Sequence, residues 1–167
     1  MTQTELDAEA LYTQLEQTVR ARLPGPSRLA IVGIYSGGAW IAERLATSLG
    51  IADLGYVDVS FYRDDYAERG LHAAVRPSQI PFDVEGATIL LVDDVLYTGR
   101  TTRAAINTLF DYGRPERVML AALVDRGGRQ LPVAPDFVAK TITLAADQQL
   151  VLQKSDDGRF SLTIDHA

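Results

Sequence analysis

Ile89-Leu90-Leu91-Val92-Asp93-Asp94-Val95-Leu96-Tyr97-Thr98-Gly99-Arg100-Thr101 is an apolar run that ends in two carboxylates and opens into Thr-Gly-Arg-Thr. Ile89 to Val92 are β-formers with no polar alternation, the composition of a strand buried on both faces. Thr98 and Thr101 stand just before Ala105, Ile106, Leu109 and Phe110, which repeat at helical spacing. A strand, a short loop and a helix start are therefore expected in that order. Amide groups at a helix start have no intrahelical partner and lie at the positive end of the helix dipole, so such a loop can hold a phosphate dianion. The threonine hydroxyls add donors, and Gly99 lets the backbone approach closely. Asp93 and Asp94 leave the strand beside that cradle, where carboxylates accept from sugar hydroxyls and from water bound to Mg²⁺. The stretch reads as a site for a phosphorylated sugar.

Outward from it the chain alternates between helical and strand patterns. Thr4 to Arg22 has helical spacing in Leu6, Ala10, Leu11, Leu15 and Val19, with Thr4 as the cap and Pro24-Gly25-Pro26 as the stop. Arg28 to Tyr35 reads as a buried strand, Ser36-Gly37-Gly38 as a turn, and Ala39 to Leu49 as a helix closed by Gly50. Tyr56 to Tyr62 fits a strand. The charged, proline-bearing stretch Arg63 to Asp83 is a long loop, and loops of that length in compact domains are commonly lids over a site. Beyond the central motif, Arg100 to Tyr112 is a helix, Arg117 to Val124 a buried strand, and Asp125 to Gln130 a second turn at a strand's carboxyl end. The short segment Asp136 to Lys140 follows, and then two tail strands, Leu150 to Gln153 and Arg159 to Ile164. This alternation predicts an α/β fold with a central, mostly parallel sheet flanked by helices, with the long loop as a lid. In such sheets ligands bind outside the carboxyl ends of the strands, so the turns at Ser36, Asp93 and Asp125 are expected to converge.

Composition narrows the function classes. With 167 residues, 47% of them hydrophobic, residues 1–167 are expected to form one domain. A net charge of −6 with a pI near 4.8 argues against a broad basic surface made for nucleic acid. The absence of cysteine excludes disulfides and thiolate metal sites, and His72 and His166 are too few for a histidine cage. The acidic start lacks a signal-peptide pattern and no apolar run approaches the roughly 20 residues that span a bilayer. A cytoplasmic protein is expected.

Two other families place acids after a strand, and neither fits. A nucleoside-triphosphatase P-loop needs Gly-x-x-x-x-Gly-Lys-Ser/Thr, and no such run exists here. A phosphorylation receiver has its acidic pair after the first strand, whereas this pair follows roughly the third. The run from Val92 to Thr101 instead resembles the phosphoribosyl-diphosphate signature of type I phosphoribosyltransferases. Within that family it is most similar to the PyrR group, pyrimidine-operon regulators that also act as uracil phosphoribosyltransferases. Tyr97 has that group's form, where purine-salvage members carry an acid. Tyr62-Arg63-Asp64-Asp65 resembles the start of its lid, and Leu123-Val124-Asp125-Arg126-Gly127 with Arg129, Leu131 and Pro132 resembles its base-side loop.

The resemblance implies the type I phosphoribosyltransferase fold, a central mostly parallel sheet flanked by helices with a flexible lid loop and a small hood, and with it a reaction and a distribution of roles. N1 of uracil would displace pyrophosphate from C1 of 5-phosphoribosyl 1-diphosphate (PRPP), giving UMP through an oxocarbenium-like transition state. Val92, Asp93, Asp94, Val95, Leu96, Tyr97, Thr98, Gly99, Arg100 and Thr101 would bind PRPP. Asp93 and Asp94 would take the ribose hydroxyls and orient Mg²⁺ indirectly, through water and substrate. Ser36, Gly37 and Gly38 would form the pyrophosphate loop. PyrR proteins often carry a basic residue in that loop, so Arg63, Arg126 and Arg129 are the cationic candidates for catalysis. Tyr97, Arg126, Phe137 and Val138 are the candidates on the base side. The implied partners are PRPP, uracil, UMP and pyr leader RNA, the last set against an acidic chain unless a dimer gathers Arg20, Arg22 and Arg28. A homodimer or homotetramer is the implied assembly. Two alternatives stay open: an RNA-binding regulator with little or no catalysis, and a type I phosphoribosyltransferase for another base.

Overall fold

A computed structural model describes residues 6–23, 28–59 and 78–166. Among them, three helices, α1 (Ala8–Arg22), α2 (Gly37–Leu49) and α3 (Arg100–Tyr112), accompany five strands, β1 (Leu29–Ile34), β2 (Leu54–Val57), β3 (Thr88–Leu96), β4 (Arg117–Asp125) and β5 (Phe137–Thr141). The strands form a single parallel sheet in the order β2-β1-β3-β4-β5. The two tail strands, β6 (Gln148–Lys154) and β7 (Phe160–His166), pair antiparallel as a separate hairpin. No helix among the described residues is long and apolar enough to cross a membrane.

The central strand explains the layering. Successive side chains of a strand point to opposite faces, and Leu90 and Val92 pack with α1 and α2 in one core cluster, while Ile89 and Leu91 pack with α3 in the other. All four are fully buried, which is why the sequence there is an unbroken apolar run. Leu11, Leu15 and Val19 of α1 and Ile41 and Leu45 of α2 cover the first face; Ala104, Ala105 and Leu109 of α3 cover the second.

Several boundaries differ from the sequence expectation. The first helix begins at Ala8, because the Asp7 side chain accepts from the Ala10 amide at 3.1 Å and takes the capping role assigned to Thr4, which lies outside the described residues. The strand expected over 56–62 runs instead over Leu54–Val57. Its edge carries one antiparallel bridge, Tyr56 with Gln79, each amide donating to the other's carbonyl at 2.8 Å. That bridge, together with the Arg28 guanidinium donating to the carbonyls of Asp83 and Glu85, fastens residues 79–85 to the sheet. The described end of the expected lid is therefore anchored framework. The rest of it, residues 63–77 with Arg63, lies outside the described residues.

The hairpin is held by α1 and α2. Leu150, Leu152 and Phe160 join the first core cluster. Arg44 of α2 lies 3.6 Å over the Phe160 ring, pairs with Glu9 at 2.6 Å and donates to the Gly158 carbonyl at 2.6 Å. One guanidinium thus joins α1, α2 and the hairpin turn.

Candidate functional site

The sheet order reverses between β1 and β3, which lie side by side while their following helices pack on opposite faces. That reversal is where ligands enter open α/β sheets, and both motif segments end there. The turn expected at 36–38 is tighter than a loop: Gly37 and Gly38 already belong to the first turn of α2, with Ser36 as the preceding cap residue. The Tyr35–Ser36 peptide is cis. Both glycines press on the carboxylate strand. A Cβ on Gly37 would overlap the Asp94 carboxyl group, and one on Gly38 would overlap the Val92 carbonyl oxygen and stand 3.0 Å from the Asp93 Cα. The candidate pyrophosphate loop and Asp94 are therefore in contact.

This packing yields a first expected outcome. Gly38→Ala forces backbone apart from backbone, where no flexible side chain can yield, and destabilises the fold by about 1–3 kcal/mol. A urea-unfolding midpoint unchanged by the substitution would show that α2 does not sit this close to β3.

The carboxylates themselves belong to β3, which runs to Leu96 rather than stopping at Val92. Asp94 is half-buried and faces the first turn of α2; Asp93, by strand alternation on the α3 side, is 6% exposed. Asp93 accepts from the Asp94 amide and Asp94 from the Val95 amide, each at 2.8 Å, which fixes their χ angles. Beyond them Gly99 adopts φ 93°, a left-handed conformation, as the residue before α3. The Thr98 hydroxyl accepts from the Arg100 amide at 3.2 Å, and the Thr98 carbonyl accepts from the amides of Gln130 and Leu131 at 2.9 and 3.1 Å. Thr101 is half-buried in the first turn of α3, and Arg100 is exposed, donating from Nε to Gln130 at 3.0 Å. Thr102, which sequence reasoning passed over, is 1% exposed with a buried hydroxyl oxygen that has no hydrogen-bond partner. Its place directly after Thr101, a second hydroxyl in the first turn of the helix, was the available signal.

The 125–130 loop meets this cradle, and its arginines make contacts within the protein. Arg129 donates from Nε to the Val133 carbonyl at 2.8 Å, from one terminal nitrogen to the Tyr97 carbonyl at 2.5 Å, and from the other to Asp125 at 2.6 Å. Arg126 is 8% exposed, donates to the carbonyls of Gln148 and Ala145 at 2.9 and 3.3 Å, and stacks 3.8 Å over the Tyr97 ring. Arg129 thus engages all three of its nitrogens within the protein, and Arg126 both of its terminal ones.

Phe137 and Val138 require correction as base-side candidates. They open β5, in register with Ala121 and Ala122, while the carboxyl end of that strand is Thr141, about 13 Å further along at roughly 3.3 Å per residue. The Phe137 ring is 1% exposed in the core, beneath the Arg22 guanidinium at 5.1 Å. What reaches the site edge is the segment after β5, where the Ile142 amide donates to the Asp125 carbonyl at 2.9 Å and residues 145–148 receive Arg126. Ala145 and Gln148 were missed because they contribute backbone carbonyls, which leave no side-chain pattern; Asp125, expected in the second turn, is there as the partner of Arg129.

Comparison with known proteins agrees with this geometry. Residues 4–153 match the phosphoribosyl transferase domain family. Bifunctional protein PyrR of Ralstonia nicotianae is 56% identical, over 98% of this chain and 97% of the relative. The protein of the same name from Nitrosococcus oceani is 46% identical, over 94% and 92%. In three dimensions, a hypoxanthine phosphoribosyltransferase from Trypanosoma cruzi superposes with a TM-score of 0.62 at 22% identity, covering 84% of this chain and 82% of that one. A Staphylococcus aureus hypoxanthine phosphoribosyltransferase gives the same TM-score at 20% identity over 83% and 75%. Those structures share the fold; the sequence relatives, matched along nearly the whole chain, share more. Matched at these identities over nearly the full length of both chains, the chain belongs to the type I phosphoribosyltransferases, within their PyrR group.

Proposed function

We propose that this chain is a uracil phosphoribosyltransferase, converting uracil and PRPP to UMP and diphosphate. The observation that carries it is the contact of Asp94 with the first turn of α2, beside the loop that opens α3. One substrate spanning both helix starts would carry a ribose 5-phosphate at Thr98 to Thr101 and a diphosphate toward Gly37 and Gly38. Those glycines bring backbone close to the leaving group, and the Asp93 and Asp94 carboxylates accept from the ribose hydroxyls between. Charge separation at C1 needs positioning and electrostatic preorganisation more than a protein nucleophile, which suits a chain without cysteine.

Mg²⁺ fits this donor set as a substrate-borne ion. Asp93 and Asp94 provide two carboxylates, and no group of three or more His, Asp or Glu is placed to cage a metal among the described residues. Bound with PRPP, the ion would neutralise charge on the diphosphate. The test is an assay panel of uracil, hypoxanthine, guanine, adenine and orotate with PRPP, with and without Mg²⁺. Mg²⁺-dependent formation of UMP from uracil is expected; turnover of a purine with none of uracil overturns the base assignment.

A second activity, UMP-dependent binding of pyr leader RNA, is supported by the description of the relatives as bifunctional. The arginines available for it are partly engaged: Arg20 pairs with Glu16 at 2.7 Å, Arg28 with Asp83 at 3.5 Å, and Arg22 covers Phe137. Electrostatic RNA binding would then draw on a homodimer or homotetramer that gathers them, in the cytoplasm. Filter binding at two salt concentrations, with and without UMP, decides it: affinity no better than for unrelated RNA removes the regulatory role.

A further inference from the structure

The Tyr97 ring is gripped from two sides. Arg126 places its Cζ 3.8 Å from the ring centroid, and the Gly128 backbone approaches so closely that a Cβ there would overlap the ring edge. The same guanidinium donates to the carbonyls of Gln148 and Ala145. A single side chain therefore touches both the loop that opens α3 and the turn that enters β6. Its Nε is buried with no hydrogen-bond partner, and no ion pair joins it to a carboxylate among the described residues; neighbouring Asp125 is engaged by Arg129 and the Gly127 amide. A buried cation without a counter-ion carries a heavy desolvation cost. Glutamine would bond the two carbonyls without that cost, but it has no flat cationic face to hold an aromatic ring.

We propose that Arg126 is a positioning residue for base recognition, locking Tyr97 and residues 145–148 into one wall on the nucleobase side of the site. The inference rests on the phosphoribosyl-transfer reading. Displacement at C1 puts leaving group and incoming base on opposite faces of the sugar. The candidate diphosphate contacts, Gly37 and Gly38, follow β1, and on the other side of β3 lies β4, whose carboxyl end leads into Arg126. Tyr97 directly precedes Thr98 in the phosphate loop, so its ring is fixed relative to the ribose phosphate while facing the base side. Arg126 carries that alignment across to residues 145–148.

The test is a double-mutant cycle on the full chain, titrating UMP and ribose 5-phosphate by calorimetry. Arg126→Gln and Tyr97→Leu are each expected to lower affinity for UMP about tenfold, from loss of the stack, while affinity for ribose 5-phosphate holds. The double variant falls no further than the worse single one. Tyr97→Phe recovers what Tyr97→Leu loses, and Arg126→Lys, which keeps charge without the flat face, is intermediate. Additive losses, or parallel losses for ribose 5-phosphate, overturn the proposal. If Arg126→Gln does not fold, Arg126→Lys takes its place in the cycle with Tyr97→Leu. If the wild type favours a purine nucleoside monophosphate over UMP, the uracil assignment fails and the cycle is read with that nucleotide. If no nucleoside monophosphate binds better than ribose 5-phosphate, the wall has no base to position and the inference falls.

Discussion

Replacing Asp93 and Asp94 together by asparagine is expected to lower kcat/KM for phosphoribosyl transfer about a thousandfold or more, with thermal unfolding close to that of the wild type. The fold should tolerate the change because each asparagine retains a side-chain oxygen that can accept from the next backbone amide, as Asp93 does from Asp94 and Asp94 from Val95. What disappears is negative charge, at the place where a positively charged sugar would form and a diphosphate-bound cation would be oriented. The single variants should separate. Asp94 faces the first turn of α2, so Asp94→Asn falls mainly on KM for PRPP; Asp93, on the other face of the strand, falls mainly on kcat. Steady-state kinetics at saturating Mg²⁺ reads both. Retained turnover in the double variant would remove the carboxylates from the reaction.

The parts of this site that were legible from sequence are those whose chemistry imposes a local pattern. A strand buried on both faces must be apolar throughout, so Ile89 to Val92 announced themselves, and a helix start with threonines and a glycine announced the loop after them. The sheet and the tail hairpin followed from alternation. Contacts made between distant segments were not legible. The start of α2 was misplaced because Gly37 and Gly38 are poor helix formers, retained there because anything larger would collide with β3. Phe137 suggested a stacking platform by its type, yet whether an aromatic lies at the carboxyl end of a strand or four residues before it depends on register, which sequence does not carry. The arginines after β4 carried a clear charge signal that said nothing of where the charge is used.

Arg129 shows how that use can be measured. Arg129→Met is expected to destabilise the protein by about 2–4 kcal/mol, the range for breaking a largely buried ion pair discounted for partial exposure. The two side chains are 23% and 13% exposed, and the substitution also strands the carbonyls of Tyr97 and Val133. Arg129→Lys should recover only part, because a single ammonium can meet Asp125 but cannot also span two carbonyls as the planar guanidinium does. Asp125→Asn combined with Arg129→Met should be less harmful than the sum of the singles, since no unpaired carboxylate remains. Urea-unfolding midpoints read all three. Kinetics separate scaffold from catalyst: with the Tyr97 carbonyl released, the next residue, Thr98, is less firmly placed, so Arg129→Lys should raise KM for PRPP more than it lowers kcat. A collapse of kcat with KM unchanged and native stability would instead place Arg129 at the reacting atoms and reverse its assignment as scaffold.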